Sequence, residues 1–367
     1  MARHIPKCIA PTGAKKTRFR EEPAYAEGLW DLGNSLYAWM VPNGSWGESN
    51  SGLIVGEGQS LLVDTLWDVN HTQTMLDGMQ PILRTSPLHT LVNTHADGDH
   101  FWGNQLIEDH VITITSQAAR DEMDHHKPRS MIAFAGLGKY LRQMPFTRTR
   151  RVGHWFETLC MPYEFGPVVH TPASETFSGT VWKDVGGRRL QLIEVGPAHT
   201  KGDLMVYVPD AKTLFAGDIL FIGSTPVMWA GPVENWIKAL DLILDLDVVT
   251  IVPGHGPLTD KDGVRTVKAY WEYVTGAARK CFDNGTTPVK AAHEIVTSQE
   301  FCNYQFSNWD SPERMMTNVH LLYRQFKGKK SGLSVLAKIR LMRKQALLAH
   351  KLPHARPAVM RTHDASL

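Results

Sequence analysis

Apolar positions along the chain switch between a two-residue and a roughly four-residue period, and the switches mark out the elements. Strand patterning starts at Leu29–Met40, and Gly52–Val55 with Ser60–Thr65 reads as a hairpin turning at Gly56-Glu57-Gly58. Asp68–Leu83 has helical spacing, with Met75, Met79 and Leu83 on one stripe. A short buried strand at His89–Asn93 runs directly into Thr94-His95. Phe101–Ile107 starts a helix, and Val111–Thr115 is another strand. Alternation of this kind predicts a layered α/β domain.

Residues 120–178 break that rhythm. They hold a helical stretch at Met131–Met144, a basic cluster at Arg148, Arg150 and Arg151, and an aromatic-rich loop through Trp155 and Phe156. The expectation is an insertion that covers or lines an active site. Strands resume at Val181–Lys183, Arg189–Val195, Leu204–Val208 and Thr213–Ala216. Glu234–Leu246 is amphipathic, with Trp236, Leu240, Ile243 and Leu244 inward, and Val248–Val252 is a strand delivering Pro253-Gly254-His255-Gly256. Helices follow at about 260–282, 286–299 and 311–327. The plan is a loosely packed N-terminal arm (1–27), a catalytic domain (28–327) and a basic tail (328–367). Ser334–His350 spaces Val335, Ile339, Met342 and Ala346 like a basic amphipathic helix, but the tail as a whole reads as frayed or partner-dependent.

Composition narrows the function. The 367 residues are 43% hydrophobic and 21% charged, enough to bury a substantial core, and hold no apolar run long enough to span a bilayer. A net charge of +2 gives the whole molecule no strong pull toward nucleic acid. The balance hides an asymmetry: Lys329–Arg361 carries nine Lys or Arg and no Asp or Glu. Cys8, Cys160, Cys281 and Cys302 form no CxxC pair, and Met1–Arg20 has no apolar signal region, so a cytoplasmic protein is expected. The C-terminal amphipathic helices and the 11 tryptophans make a homo-oligomer plausible.

Four segments each place a potential metal ligand at the C-terminal end of a predicted strand. They are His95-Ala96-Asp97-Gly98-Asp99-His100, His199 in Gly196-Pro197-Ala198-His199-Thr200-Lys201-Gly202-Asp203, Asp218 in Phe215-Ala216-Gly217-Asp218, and His255. Singly, each is an ordinary surface histidine or turn aspartate. Together and in this order, at strand ends that converge on one sheet edge, they form a metal-site pattern.

With Asp64 in Leu61-Leu62-Val63-Asp64-Thr65, the pattern over about residues 30–260 resembles the metallo-β-lactamase superfamily. The resemblance implies a four-layer αβ/βα sandwich, here with a helical insertion and C-terminal helices, binding one or two metals at its edge. It implies His95, Asp97 and His199 as one metal set and Asp99, His100 and His255 as the other. Asp218 bridges them or belongs to the second, and Asp64 orients ligands by hydrogen bonding. The chain departs from the family at Asp97, where histidine is usual. Either the first set is weakened, leaving one zinc on the second, or the added charge supports two metals or a harder one such as iron or manganese. Zinc with the second set dominant is the expected arrangement.

The implied activity is that of a zinc-dependent hydrolase: metal-bound hydroxide attacks an electrophilic carbon while Asp97 or Asp218 orients the water or takes its proton. Trp46, Trp67, Trp102, Trp155, Phe221 and Trp229 are candidate pocket residues, which favours a small apolar or aromatic substrate. The Thr94–Asn104 and Trp229–Trp236 segments are similar to a subgroup of hydrolases within the superfamily, and by general likeness the chain resembles the zinc-dependent dehalogenases of the chlorothalonil-hydrolysing type, so hydrolytic dehalogenation is the most specific expectation. Ester, thioester or lactone hydrolysis is the alternative within the fold. An iron oxygenase or reductase remains open because diiron members carry a carboxylate at the place of Asp97. A nucleic-acid-binding member is suggested by the basic tail alone. His125 and His126 read as a solvated helix end, with an accessory metal or subunit contact as the alternative.

Overall fold

The computed structural model describes residues 4–329 and 333–352. Two sheets face each other. The first has eight strands in chain order: β1 (Lys7–Pro11), β2 (Gly28–Gly33), β3 (Leu36–Met40), β4 (Ser51–Val55), β5 (Ser60–Val63), β6 (Leu88–Val92), β7 (Ile112–Ser116) and β8 (Glu175–Phe177). Pairing is antiparallel from β1 to β5 and parallel from β5 to β8. The second sheet runs β13-β12-β11-β10-β9, from β9 (Thr180–Val185), β10 (Arg188–Glu194), β11 (Leu204–Val208), β12 (Thr213–Phe215) and β13 (Thr250–Val252). Its β12–β13 pair is parallel and its others antiparallel.

The central strands of both sheets are buried on both faces, so alternate residues enter different cores. Leu61 and Val63 of β5, with Val92 of β6, meet Leu204, Val206 and Val208 of β11 between the sheets. Leu62 and Leu91 point the other way, onto Met75, Leu76 and Met79 of α1 (Val69–Leu83). Asp68 caps α1 by accepting from the His71 amide at 2.8 Å. Met205 and Tyr207 face the far side of the second sheet, which is covered by α6 (Val233–Asp245), α7 (Lys261–Asp283), α8 (Pro288–Thr297) and α10 (Met315–Phe326). The short α2 (Gly98–Phe101) carries the histidine loop, and α9 (Gln299–Cys302) links α8 to α10. The layers run helix, sheet, sheet, helix: a four-layer α/β sandwich.

Three segments differ from their expected form. The N-terminal arm is not loose: β1 pairs antiparallel with β2 and Phe19 is buried. With Pro11 at its end and alternate residues exposed, β1 is a short edge strand. The aromatic stretch at Trp155 and Phe156 is not a loop but lies in α5 (Thr147–Cys160), packed on α4 (Pro128–Arg142) after the short α3 (Gln117–Met123). Val152, Trp155, Phe156 and Leu159 follow helical spacing and are buried together. The tail is not frayed over its described part. α11 (Val335–Ala349) packs on α5 and α10, burying Leu341, Gln345, Ala346, Leu348 and Ala349. Residues 353–367 lie outside the described residues. All four cysteines are free thiols, and among the described residues no helix is long and apolar enough to cross a membrane.

Candidate metal centre

Parallel β5, β6 and β7 end at the same edge of the first sheet, and β12 and β13 end beside them in the second. Asp64 follows β5, His95 to His100 follow β6, Asp218 follows β12 and His255 follows β13. The turn after β10 adds His199. Topology therefore gathers all seven expected ligands, spread over 160 residues of sequence from His95 to His255, around one point.

Asp218 is that point. Its carboxylate lies 3.7 Å from His95 Nε2, 3.2 Å from His100 Nε2, 3.3 Å from His199 Nε2 and 3.4 Å from His255 Nε2. Asp97 approaches His199 Nε2 at 3.1 Å, and Asp99 approaches His255 Nε2 at 3.5 Å. Two nitrogen or oxygen ligands on a tetrahedral zinc stand roughly 3.3 Å apart. The spacings match the edges of such a polyhedron.

Each imidazole has its outer nitrogen occupied. His100 Nδ1 donates to Asp64 at 2.9 Å, His199 Nδ1 to the Val227 carbonyl at 2.6 Å and His255 Nδ1 to the Glu48 carbonyl at 3.1 Å. Thr94 Oγ1 donates to Asp64 at 2.7 Å and so accepts from His95 Nδ1 at 2.9 Å. All four rings thus turn Nε2 inward, the atom each would offer to a metal. His95 Nε2, His100 Nε2 and Asp218 Oδ1 are buried with no hydrogen-bond partner. Buried polar atoms rarely go unsatisfied without a reason. Three ligand sets, His95/Asp97/His199, His95/His100/Asp218 and Asp99/His100/His255, each have their atoms within 4.8 Å of one another. The donors present fit a metal.

Backbone geometry holds this arrangement. Asp64 sits at φ +62°, a left-handed conformation, and from there accepts from the Thr94 amide and hydroxyl as well as from His100. A Cβ at Gly254 would stand 2.0 Å from Asp218 Oδ1, so only glycine lets that carboxylate in.

The charges set one another. Burial works against a charged Asp97, but His199, His95 and His126 outweigh it and hold its carboxyl below the usual range. Burial raises Asp99, and the carboxylates of Asp218 and Asp97 add to the rise. Burial opposes the imidazolium of His199, yet Asp97 and Asp218 lift it to about 9. Asp218, Asp64 and Asp99 likewise lift His100 against its burial. His95 is pushed down by burial and by its imidazole neighbours.

Of the candidate pocket aromatics, Trp46 and Trp229 are only partly buried, their rings 6.3 Å apart. Trp229 adjoins His199, whose carbonyl accepts its amide at 2.8 Å. Trp67, Trp102, Trp155 and Phe221 are buried behind them: Trp67 against Tyr163 and Phe165, Trp155 edge-on to Trp46, and Phe221 stacked on His255. His125 is exposed at the end of α3. His126 instead reaches the centre, its Nδ1 donating to the Ala96 carbonyl at 2.9 Å and lying 3.6 Å from Asp97. Sequence reading also passed over Arg314, whose buried guanidinium lies 4.2 Å from the Trp46 ring centre. Its position directly before α10 carries no motif.

Residues 44–255 match the family model of the metallo-beta-lactamase superfamily, and the chain belongs to that superfamily. It is 29% identical over 143 residues to "Beta-lactamase-like protein 2 homolog" of Caenorhabditis elegans, spanning 38% of this chain and 45% of that one. It is 24% identical over 209 residues to "2,4-dinitroanisole O-demethylase subunit alpha" of Nocardioides sp., spanning 55% and 51%. The chain thus spans about half the length of these two curated relatives. Against "Acyl-coenzyme A thioesterase MBLAC2" of Gallus gallus it is 25% identical over 238 residues, 62% of this chain and 75% of the relative. The solved sec-alkylsulfatase Pisa1 from Pseudomonas sp. shares the fold, with TM-score 0.62 and 16% identity over 83% of this chain and 50% of that one.

Proposed function

We propose that this protein is a zinc-dependent hydrolase acting on an electrophilic carbon of a small substrate. The observation that carries this reading is the Asp218 carboxylate, buried among four inward-facing Nε2 atoms at 3.2 to 3.7 Å. His95, Asp97 and His199 would hold one ion and Asp99, His100 and His255 the other, with Asp218 between them. A bound zinc supplies Lewis acidity and a water acidic enough to ionise near neutral pH. Asp97 is the candidate ligand side chain most open to solvent, at 22% exposure, which supports a role for its carboxylate in orienting the attacking water or accepting its proton. Trp46 and Trp229 offer flat apolar surfaces beside His199 for the uncharged part of the substrate.

An acyl ester or thioester is the substrate class best supported. The chicken relative, matched over three quarters of its length, is named a thioesterase. Attack on an activated aromatic ring, including hydrolytic dehalogenation of a chlorinated aromatic, is the second reading. It is favoured by the tryptophan pair and by likeness to a protein named for a dinitroaromatic ether. The test is elemental analysis of protein purified without added metal, followed by one substrate panel on the same sample: acyl thioesters, esters, lactones, a β-lactam and chlorinated nitriles. Zinc with turnover of a thioester supports the first substrate class, and chloride release supports the second. Full activity in metal-free protein would overturn the metal-dependent reading.

A further inference from the structure

We propose that Arg18 is a positioning residue for the Asp99 half of the metal centre, acting through Glu48 on His255. The inference rests on the reading that the centre holds metal. Arg18 comes from the N-terminal arm, far from every ligand in sequence, yet its side chain is only 6% exposed. Its Nε lies 3.5 Å from Glu48 Oε1, itself on a 4% exposed side chain. Its Nη1 donates to the carbonyls of Thr158, Leu159 and Met161 at the C-terminal end of α5. The guanidinium lies 4.4 Å from the Phe19 ring centre and 5.3 Å from that of Tyr163. Tyr163 in turn donates to the Gly47 carbonyl at 2.7 Å.

Residues 44–50, which meet Arg18 through its ion pair with Glu48, cradle two candidate ligands. The Glu48 carbonyl accepts from His255 Nδ1 at 3.1 Å, and Ser49 Oγ donates to the Asp99 carbonyl at 2.6 Å. Asn50 Nδ2 donates to the Pro253 and Gly256 carbonyls on either side of His255. Glu48 Oε2 also accepts from the Ser45 amide at 2.7 Å, which closes the loop on itself. Without Arg18, the buried carboxylate at Glu48 would lose the cation 3.5 Å from its Oε1, which favours movement of this loop out toward water. The carbonyl that aims His255 would move with it. His95 and His199 are aimed by Thr94 and Val227, which this loop does not supply, so the effect falls on one half of the centre.

The experiment is a zinc titration against a competing chelator on the full chain, comparing wild type with Arg18→Ala, Arg18→Lys and Glu48→Gln. His255→Ala identifies which binding step belongs to the Asp99 half. Arg18→Ala is expected to weaken that step about 10- to 100-fold, the range typical for lost outer hydrogen-bond partners, and to leave the other step within about threefold. Arg18→Lys, which keeps the charge but not the fork of donors, should recover part of the loss. Glu48→Gln should weaken the same step, and it decides the matter if Arg18→Ala does not fold. Binding steps unchanged in folded variants, or both steps weakened equally with a lowered melting temperature, would overturn the proposal. A single bound ion that Arg18→Ala leaves undisturbed would also overturn it. Wild-type protein that binds no zinc would instead sink the metal-centre reading and this proposal with it.

Discussion

Asp97 and Asp99 stand two residues apart in one loop, yet their proton affinities move in opposite directions. Asp97 pairs closely with His199, at 3.1 Å, and keeps its charge easily. Asp99 has its nearest imidazole at 3.5 Å and faces two other carboxylates, so charge there is costly. Their supports differ as well. The Asp97 half is aimed by Thr94 and Val227 and rimmed by His126 of the insertion. The Asp99 half is framed by the 44–50 loop and, through it, by the N-terminal arm. One candidate ligand cluster is thus built from two halves that share Asp218 and the Thr94–Asp64 link to His100 but differ in their outer supports.

That division can be broken by experiment. Asp218→Ala should have the largest effect, because it strips both halves. Metal content by elemental analysis is expected to fall to near zero and turnover to background, whereas His255→Ala should remove metal from the Asp99 half alone. Equal losses from the two variants would show that the halves are not separable.

Next in size is a stability effect beneath the centre. Burial raises Glu313, at 1% exposure, from its ordinary 4.5 to about 7, and Asp310 adds to the rise against the pull of Arg314. A folded value above the unfolded one means stability that is full below 4.5 and lost as pH rises through 7. Glu313→Gln should therefore match wild type near pH 4.5 and exceed it at pH 8, by at most about 3 kcal/mol. Thermal denaturation at both pH values checks this, and a Gln variant less stable at pH 8 would contradict the sign.

A further effect is graded with pH. His199, lifted to about 9, and His100, lifted as well, hold protons that an incoming ion must displace. Zinc affinity should rise with pH below about 9, roughly tenfold per unit for each proton released. Chelator competition across pH 6 to 8, read by step, shows whether the two halves release protons separately. A flat profile would count against both imidazolium assignments.

How much of this was legible in the chain follows from how local each signal is. The sandwich could be read because strands buried on both faces leave apolar runs, and the ligands because they cluster at the ends of those runs. Asp64, His95 to His100, His199, Asp218 and His255 all lie where the motif order puts them. The supports could not be read this way. Arg18 meets a carboxylate 30 positions away and carbonyls 140 or more away, and nothing in its neighbourhood distinguishes it from Lys15 or Lys16. His126 looked like the exposed end of a helix because its partners, the Ala96 carbonyl and Asp97, come from another element. α5 is a different case: its stripe of Val152, Trp155, Phe156 and Leu159 was present in the sequence, but the density of aromatic residues obscured the period.

The parallel pairing of β13 against β12 has a consequence for how the molecule is made. β13 delivers His255, so about 155 residues beyond His100 must be synthesised before that strand exists. At roughly 5–20 residues per second, the histidine loop waits several seconds or more for its last partner. During that interval Asp218 and Asp99 lack one of the imidazoles that face them. An ion held by all four imidazoles would therefore be bound only after His255 is made, so metal supply would bear on a later step of folding than the pairing of the first sheet.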